Sequence, residues 1–122
     1  MKNDKNTNIQ ELRDELAKFR DERDWKQFHD PKNLAEAISI EAGELQELFL
    51  WKDKNQVGKE MNDSGFKAKV AAELSDIIIF AINFANACDI DVTTEVNKKI
   101  DKGRKKYPVE KAKGSAKKYT EL

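Results

Sequence analysis

Two stretches decide the fold: Leu34–Trp51, LAEAISIEAGELQELFLW, and Phe66–Cys88, FKAKVAAELSDIIIFAINFANAC. Successive residues of an α-helix turn by about 100°, so residues three or four apart share a face. With Glu41 as the zero direction, Leu34 falls at about +20°, Ala37 at −40°, Leu45 at +40° and Leu48 at −20°. Glu41 therefore stands in the middle of an apolar stripe, with Glu44 about 60° and Glu47 about 120° to one side. With Glu73 as zero on the other stretch, Phe66, Val70, Ile77, Phe80 and Phe84 all lie within about 60° of it. Asp76 lies about 60° aside, and Asn83 about 80° aside on the Asp76 side.

A carboxylate withdrawn from water without a partner is costly. Two acids on each of two core-facing stripes must be protonated, paired with Lys or Arg, or bound to cations. Pairing within the stripes is weak, since Lys69 is the one basic residue near the Glu73 direction. An all-carboxylate donor set selects hard cations, Mg²⁺, Mn²⁺ or Ca²⁺, and Mg²⁺ commonly completes its shell with substrate phosphates. A di-iron bundle would add Glu-x-x-His motifs, and His29, the one histidine, lies on neither stretch.

Outward from these stretches the chain reads as helix throughout, with five Gly, two Pro and little β-branched alternation. Helices are predicted at about 9–23, 34–51, 66–88 and 92–102, which suggests a four-helix-bundle-like, all-α protomer in one domain over 1–122. Asn8 with Glu11 reads as a capping box, and so does Asn33 with Glu36. Asp63 or Ser64 would cap the third helix and Asp91 the fourth, which Gly103 would stop. Residues 24–32 read as a connector, 52–65 as a loop and 103–122 as a basic, extended tail.

Composition closes off several classes. The chain of 122 residues carries 23 basic and 23 acidic side chains, a net charge of zero, which argues against a nucleic-acid polymer as partner. The balance conceals a division: residues 1–88 sum to −4 and 89–122 to +4, with 10 basic against 2 acidic between Lys98 and Lys118. A single cysteine, Cys88, excludes an internal disulfide and fits a reducing, cytoplasmic compartment. The absence of an unbroken run of about 18 apolar residues argues against a membrane span, and polar Met1–Gln10 argues against a secretory signal. Stripes as apolar as Ile77–Phe80 favour self-association, as homodimer or homotetramer.

The motif Glu41-Ala42-Gly43-Glu44 followed by Glu73-Leu74-Ser75-Asp76 resembles the E-x-x-E … E-x-x-D signature of the MazG-like all-α nucleoside triphosphate pyrophosphohydrolases. Arg23-Asp24-Trp25-Lys26-Gln27-Phe28-His29, EAGELQELFLW over Glu41–Trp51, Tyr107-Pro108 and Lys118–Leu122 are similar to the dCTP pyrophosphatase branch. The resemblance implies Mg²⁺-dependent hydrolysis, with Mn²⁺ an alternative, of a nucleoside triphosphate to monophosphate and pyrophosphate. It implies Glu41, Glu44, Glu73 and Asp76 as metal ligands, and a homo-oligomeric active unit. Trp25, Lys26, Gln27, Phe28, His29 and Trp51 would line the nucleotide site. Relatives often carry Asn where this chain has Gly103.

The residues themselves add to this. Aromatic faces stack on nucleobases, Asn83 offers a polar edge, and Lys99 and Lys102 offer partners for phosphates. Glu44 or Glu47 would orient or deprotonate the attacking water. Two other readings stand beside this one: a dUTP or dUDP hydrolase, against which the Trp-x-Gln-Phe-His element argues, and a non-enzymatic helical module binding metal or a basic partner.

Overall fold

The computed structural model describes all residues, Met1–Leu122, and contains helices and turns but no strand. It divides into two compact units, Met1–Asp89 and Ile90–Leu122.

The first unit holds α1 (Ile9–Glu22), a 3₁₀ turn (Lys26–Phe28), α2 (Pro31–Glu47), α3 (Lys54–Glu60) and α4 (Ser64–Cys88). The long α4 is its spine, packed mainly against α2 and also against α1. Leu34 of α2 is 2 % exposed and, with Ile82 and Ala85 of α4, forms the buried apolar core. On the α1 side, the Arg13 guanidinium donates through Nε to Asn86 Oδ1 at 2.9 Å and through Nη2 to the Ala85 carbonyl at 3.3 Å. Asn86 Nδ2 returns a bond to the Arg13 carbonyl at 3.2 Å.

Most caps match the sequence reading. Asn8 and Glu11 form the capping box of α1, and Asp63 caps α4 by accepting from the Phe66 amide at 2.9 Å. The start of α2 differs. Asp30, not Asn33, is its cap, accepting from the Asn33 amide at 2.9 Å and from Asn33 Nδ2 at 2.7 Å. Pro31 then fits the first helical position, where a missing N–H costs nothing. The end of α2 differs as well. Regular helix stops at Glu47, the amides of Leu48, Phe49 and Leu50 bond three residues back, and Trp51 adopts φ 64°.

The expected loop at 52–65 contains α3, capped by Asp53 through the Gln56 amide at 2.8 Å. Its polar sequence lacks the apolar stripe that would announce a helix. By length and composition alone α4 is long and apolar enough to cross a membrane, its best 18-residue window averaging 1.4 in hydropathy. The apolar run is interrupted by Glu73 and Asp76, which the composition average absorbs.

The second unit holds α5 (Val92–Lys106), α6 (Val109–Ala112) and a 3₁₀ turn (Tyr119–Glu121). Asp91 caps α5 by accepting from the Thr94 amide at 2.9 Å. Gly103 does not stop α5. The helix runs through it to Lys106, and the Tyr107 amide bonds the Gly103 carbonyl at 2.8 Å. Pro108 ends it, because a residue before proline is pushed out of the helical region. The tail is not extended. It folds back so that Tyr107 and Tyr119 meet edge to face at 5.9 Å, with Lys106 Nζ 4.8 Å above the Tyr119 ring.

Candidate active site

The α2–α4 contact brings the acids of both stripes together. Carboxylate oxygens of Glu41, Glu73 and Asp76 lie within 4.8 Å of one another. Glu44, one turn along α2 from Glu41, is within hydrogen-bond reach of both Glu41 and Glu73, and Glu47 adds its charge on Glu73. None of these acids forms an ion pair with Lys or Arg. Glu41 Oε2 and Glu73 Oε2 are buried without a hydrogen-bond partner.

The electrostatics follow from that crowding. Partial withdrawal from water raises the Glu41 carboxyl above the ordinary carboxylate range, and the neighbouring carboxyls of Glu44, Asp76 and Glu73 raise it further. Glu73 is raised for the same first reason, then by Glu44, Asp76 and Glu47. The three escapes open to such acids narrow to protonation or a bound cation, since basic partners are absent.

A divalent cation fits this donor set. Opposite ligands of a Mg²⁺ octahedron stand about 4.2 Å apart at bond lengths of about 2.1 Å. At most one pair among three ligands can be opposite and the others stand about 3.0 Å apart, so oxygens within 4.8 Å of one another must draw together around the ion. A cation would also occupy the two orphaned oxygens, which nothing in the protein satisfies.

The remaining candidates are distributed around this centre. Beyond the C-terminal end of α2, Gly43, Gln46, Glu47, Phe49, Leu50 and Trp51 line a hollow of about 620 Å³. Trp51 is 93 % exposed there. The other aromatic element enters α2 at its opposite end. Trp25 packs edge to face on Phe19 at 5.7 Å, and Phe28 is exposed. Lys26 carries no bond to another side chain, whereas Gln27 Nε2 is used locally, donating to the Asp24 carbonyl at 3.0 Å and to Asp24 Oδ2 at 3.1 Å. His29 Nδ1 is buried without a partner, and burial followed by the Arg20 charge lowers the His29 pKa below 6.5. His29 precedes α2 and Trp51 follows it, so roughly the length of the 17-residue helix, about 25 Å, separates their backbones.

Asn83 is 7 % exposed, and its Oδ1 is buried and unpartnered. It stands two turns beyond Asp76 on the same face of α4, about 10 Å along the axis. Lys99 and Lys102 belong to the second unit, where they line a shallow depression on α5 with Glu95, Lys98, Asp101 and Lys105.

The reading of the sequence passed over Arg20, a cation only 9 % exposed, whose Nε donates to Asp21 Oδ1 at 2.8 Å. Its position four residues after Leu16 on the apolar face of α1 was the available signal.

The sequence pattern of the MazG-like family matches residues 37–122. The chain is similar to dCTP pyrophosphatase 1 of Mus musculus, 41 % identical over 114 residues that span 93 % of this chain and 67 % of the mouse protein. The proteins of the same name from Bos taurus and Homo sapiens are 42 % and 40 % identical, again over 93 % of this chain and over 68 % and 67 % of theirs. Among solved structures, a pyrophosphatase from Archaeoglobus fulgidus superposes with a TM-score of 0.77 and 36 % identity, over 82 % of this chain and 92 % of that one.

Proposed function

The chain belongs to the MazG-like family and is a pyrophosphohydrolase, and on that premise we propose that it converts dCTP, or a modified dCTP, to the monophosphate and pyrophosphate with Mg²⁺. The observation that carries the reading is the carboxylate cluster of α2 and α4: two buried oxygens without partners and no Lys or Arg beside them. Relatives that are dCTP pyrophosphatases support the choice of base. Their enzymatic character sets aside a non-enzymatic helical module.

In this reading Glu41, Glu73 and Asp76 hold the cation, and Glu44, which reaches both glutamates, completes the set. A divalent cation there, Mg²⁺ or Mn²⁺, supplies charge neutralisation for the triphosphate and acidifies nearby water. Glu47 stands at the edge of the cluster and takes the proton from the attacking water, a step that general-base catalysis typically supports with a factor of about 10²–10⁴. Trp51 stacks on the base. Asn83 offers an unsatisfied polar atom, whereas His29 and the Trp25–Phe28 run stand about 25 Å from Trp51 across α2 and do not share one base with that ring. Lys99 and Lys102 hold, within the second unit, basic charge of the kind that suits phosphate partners. The enzyme acts as a homo-oligomer in the cytoplasm, an assembly favoured by exposed Phe19, Ile78 and Ile79, and its physiological role is to keep the nucleotide pool clean.

The test is pyrophosphate release from the four ribo- and four deoxynucleoside triphosphates with Mg²⁺. The expected outcome is turnover led by dCTP and abolished in Glu41→Gln and Asp76→Asn. Preference for dUTP would favour the dUTP-hydrolase reading, and wild-type rates in either variant would remove the metal assignment.

A further inference from the structure

Trp51 combines two properties that a side chain rarely shows together. Its ring is 93 % exposed, so packing does not hold it, and its backbone sits at φ 64°, a region unfavourable for a bulky residue. Something on either side must therefore fix the chain. On one side, Phe49 packs edge to face on Phe66 of α4 at 6.0 Å. On the other, Lys52 Nζ sits 4.5 Å above the same Phe66 ring and pairs with Glu60 Oε2 of α3 at 2.8 Å. The Lys52 amide bonds back to the Phe49 carbonyl at 3.2 Å, closing the turn between the two anchors. The pair is half-buried, with side chains 24 % and 32 % exposed, and Lys52 draws the Glu60 carboxyl below its usual range.

We propose that Lys52 is a positioning residue: its ion pair with Glu60 and its seat on Phe66 lock the backbone turn after α2, so that Trp51 is presented from an already ordered main chain to the base of the nucleotide. This rests on the nucleotide-hydrolase reading and extends it to a residue that touches neither substrate nor metal. Pre-ordering matters because ordering a mobile turn on binding weakens affinity by a factor of about five or more. The lock also gives α3 a purpose: it is a helix of seven residues whose C-terminal Glu60 forms the ion pair with Lys52.

The test is a double-mutant cycle on the full-length protein with dCTP and Mg²⁺. Lys52→Met keeps the side-chain stem and removes the charge, and should raise KM about fivefold with kcat within about twofold. Lys52→Arg, which can hold both Glu60 and Phe66, should restore the wild-type KM. Trp51→Ala alone should raise KM about tenfold or more. In the Trp51→Ala background Lys52→Met should add nothing, because its effect passes through that ring. With 5-fluorotryptophan labelling, the ¹⁹F resonance of Trp51 should narrow to that of a mobile ring in Lys52→Met. If Lys52→Met does not fold, Glu60→Gln tests the same lock from the other partner.

The proposal is overturned if Lys52→Met leaves KM and the Trp51 resonance unchanged, or if its effect adds in full on top of Trp51→Ala. Absence of pyrophosphate release by the wild type would instead overturn the hydrolase reading, and the ¹⁹F measurement on the free protein would still report on the lock.

Discussion

Removing and restoring the divalent cation is the most direct perturbation of the carboxylate cluster. Stripped of metal, the protein holds Glu41, Glu44, Glu73 and Asp76 together, with Glu47 close by and no basic partner among them. A cation that binds the folded cluster stabilises the fold by mass action. Above the onset of binding, each tenfold rise in free cation adds about 1.4 kcal/mol per ion. An unfolding entropy of about 2.1 cal/mol/K per residue over this chain converts that to about 5 °C in Tm per decade for one ion and about 10 °C for two. Differential scanning calorimetry of EDTA-treated protein, titrated with MgCl₂ at constant ionic strength, reads that slope and so counts the ions. Glu41 and Glu73 titrate above the ordinary carboxylate range, so their contribution is full in acid and is lost as pH rises through their raised values. The cation-dependent gain should therefore be larger at pH 8 than at pH 5. Glu41→Gln should flatten the slope over the same cation range. A Tm indifferent to Mg²⁺, or an identical slope in Glu41→Gln, would refute the reasoning.

Glu47→Gln should lower kcat at least about a hundredfold while leaving the Mg²⁺-dependent Tm slope in place, separating proton transfer from metal binding. Leu34→Ala, at the 2 % exposed centre of the α2–α4 contact, should cost about 3 kcal/mol and lower Tm by about 10 °C in calorimetry. Burial, then the Arg20 charge, hold the His29 pKa below 6.5, so its contribution to stability should be full above that pH and fall away in more acid solution, read as Tm by calorimetry. In His29→Gln that fall should disappear.

The centre of the site was legible because it rests on one periodicity. Glu41 and Glu73 sit mid-stripe on their wheels, and whatever packs α2 on α4 must bring them face to face. Caps were legible for the same local reason: Asn8, Asp63 and Asp91 each reach an amide within their own first turn. What escaped depends on contacts distant in sequence. The turn at Trp51 is held by Phe66 and Glu60, and the return of the tail by Tyr119 on Tyr107, neither of which a period of 3.6 reveals. The α3 helix escaped because its seven residues follow a cap rather than a stripe. Arg20 escaped because a charge on an apolar face reads as an edge until its burial is seen.

Gly43 occupies the interior of α2, one residue before Glu44, and borders the hollow beside Trp51. A methyl group added there would meet nothing within 4 Å. Glycine inside a helix sacrifices about 0.5–1 kcal/mol relative to alanine, and nothing in the chain's own packing requires it. Alanine at this position would therefore stiffen α2 without a clash and narrow the hollow beside Trp51 by one methyl group.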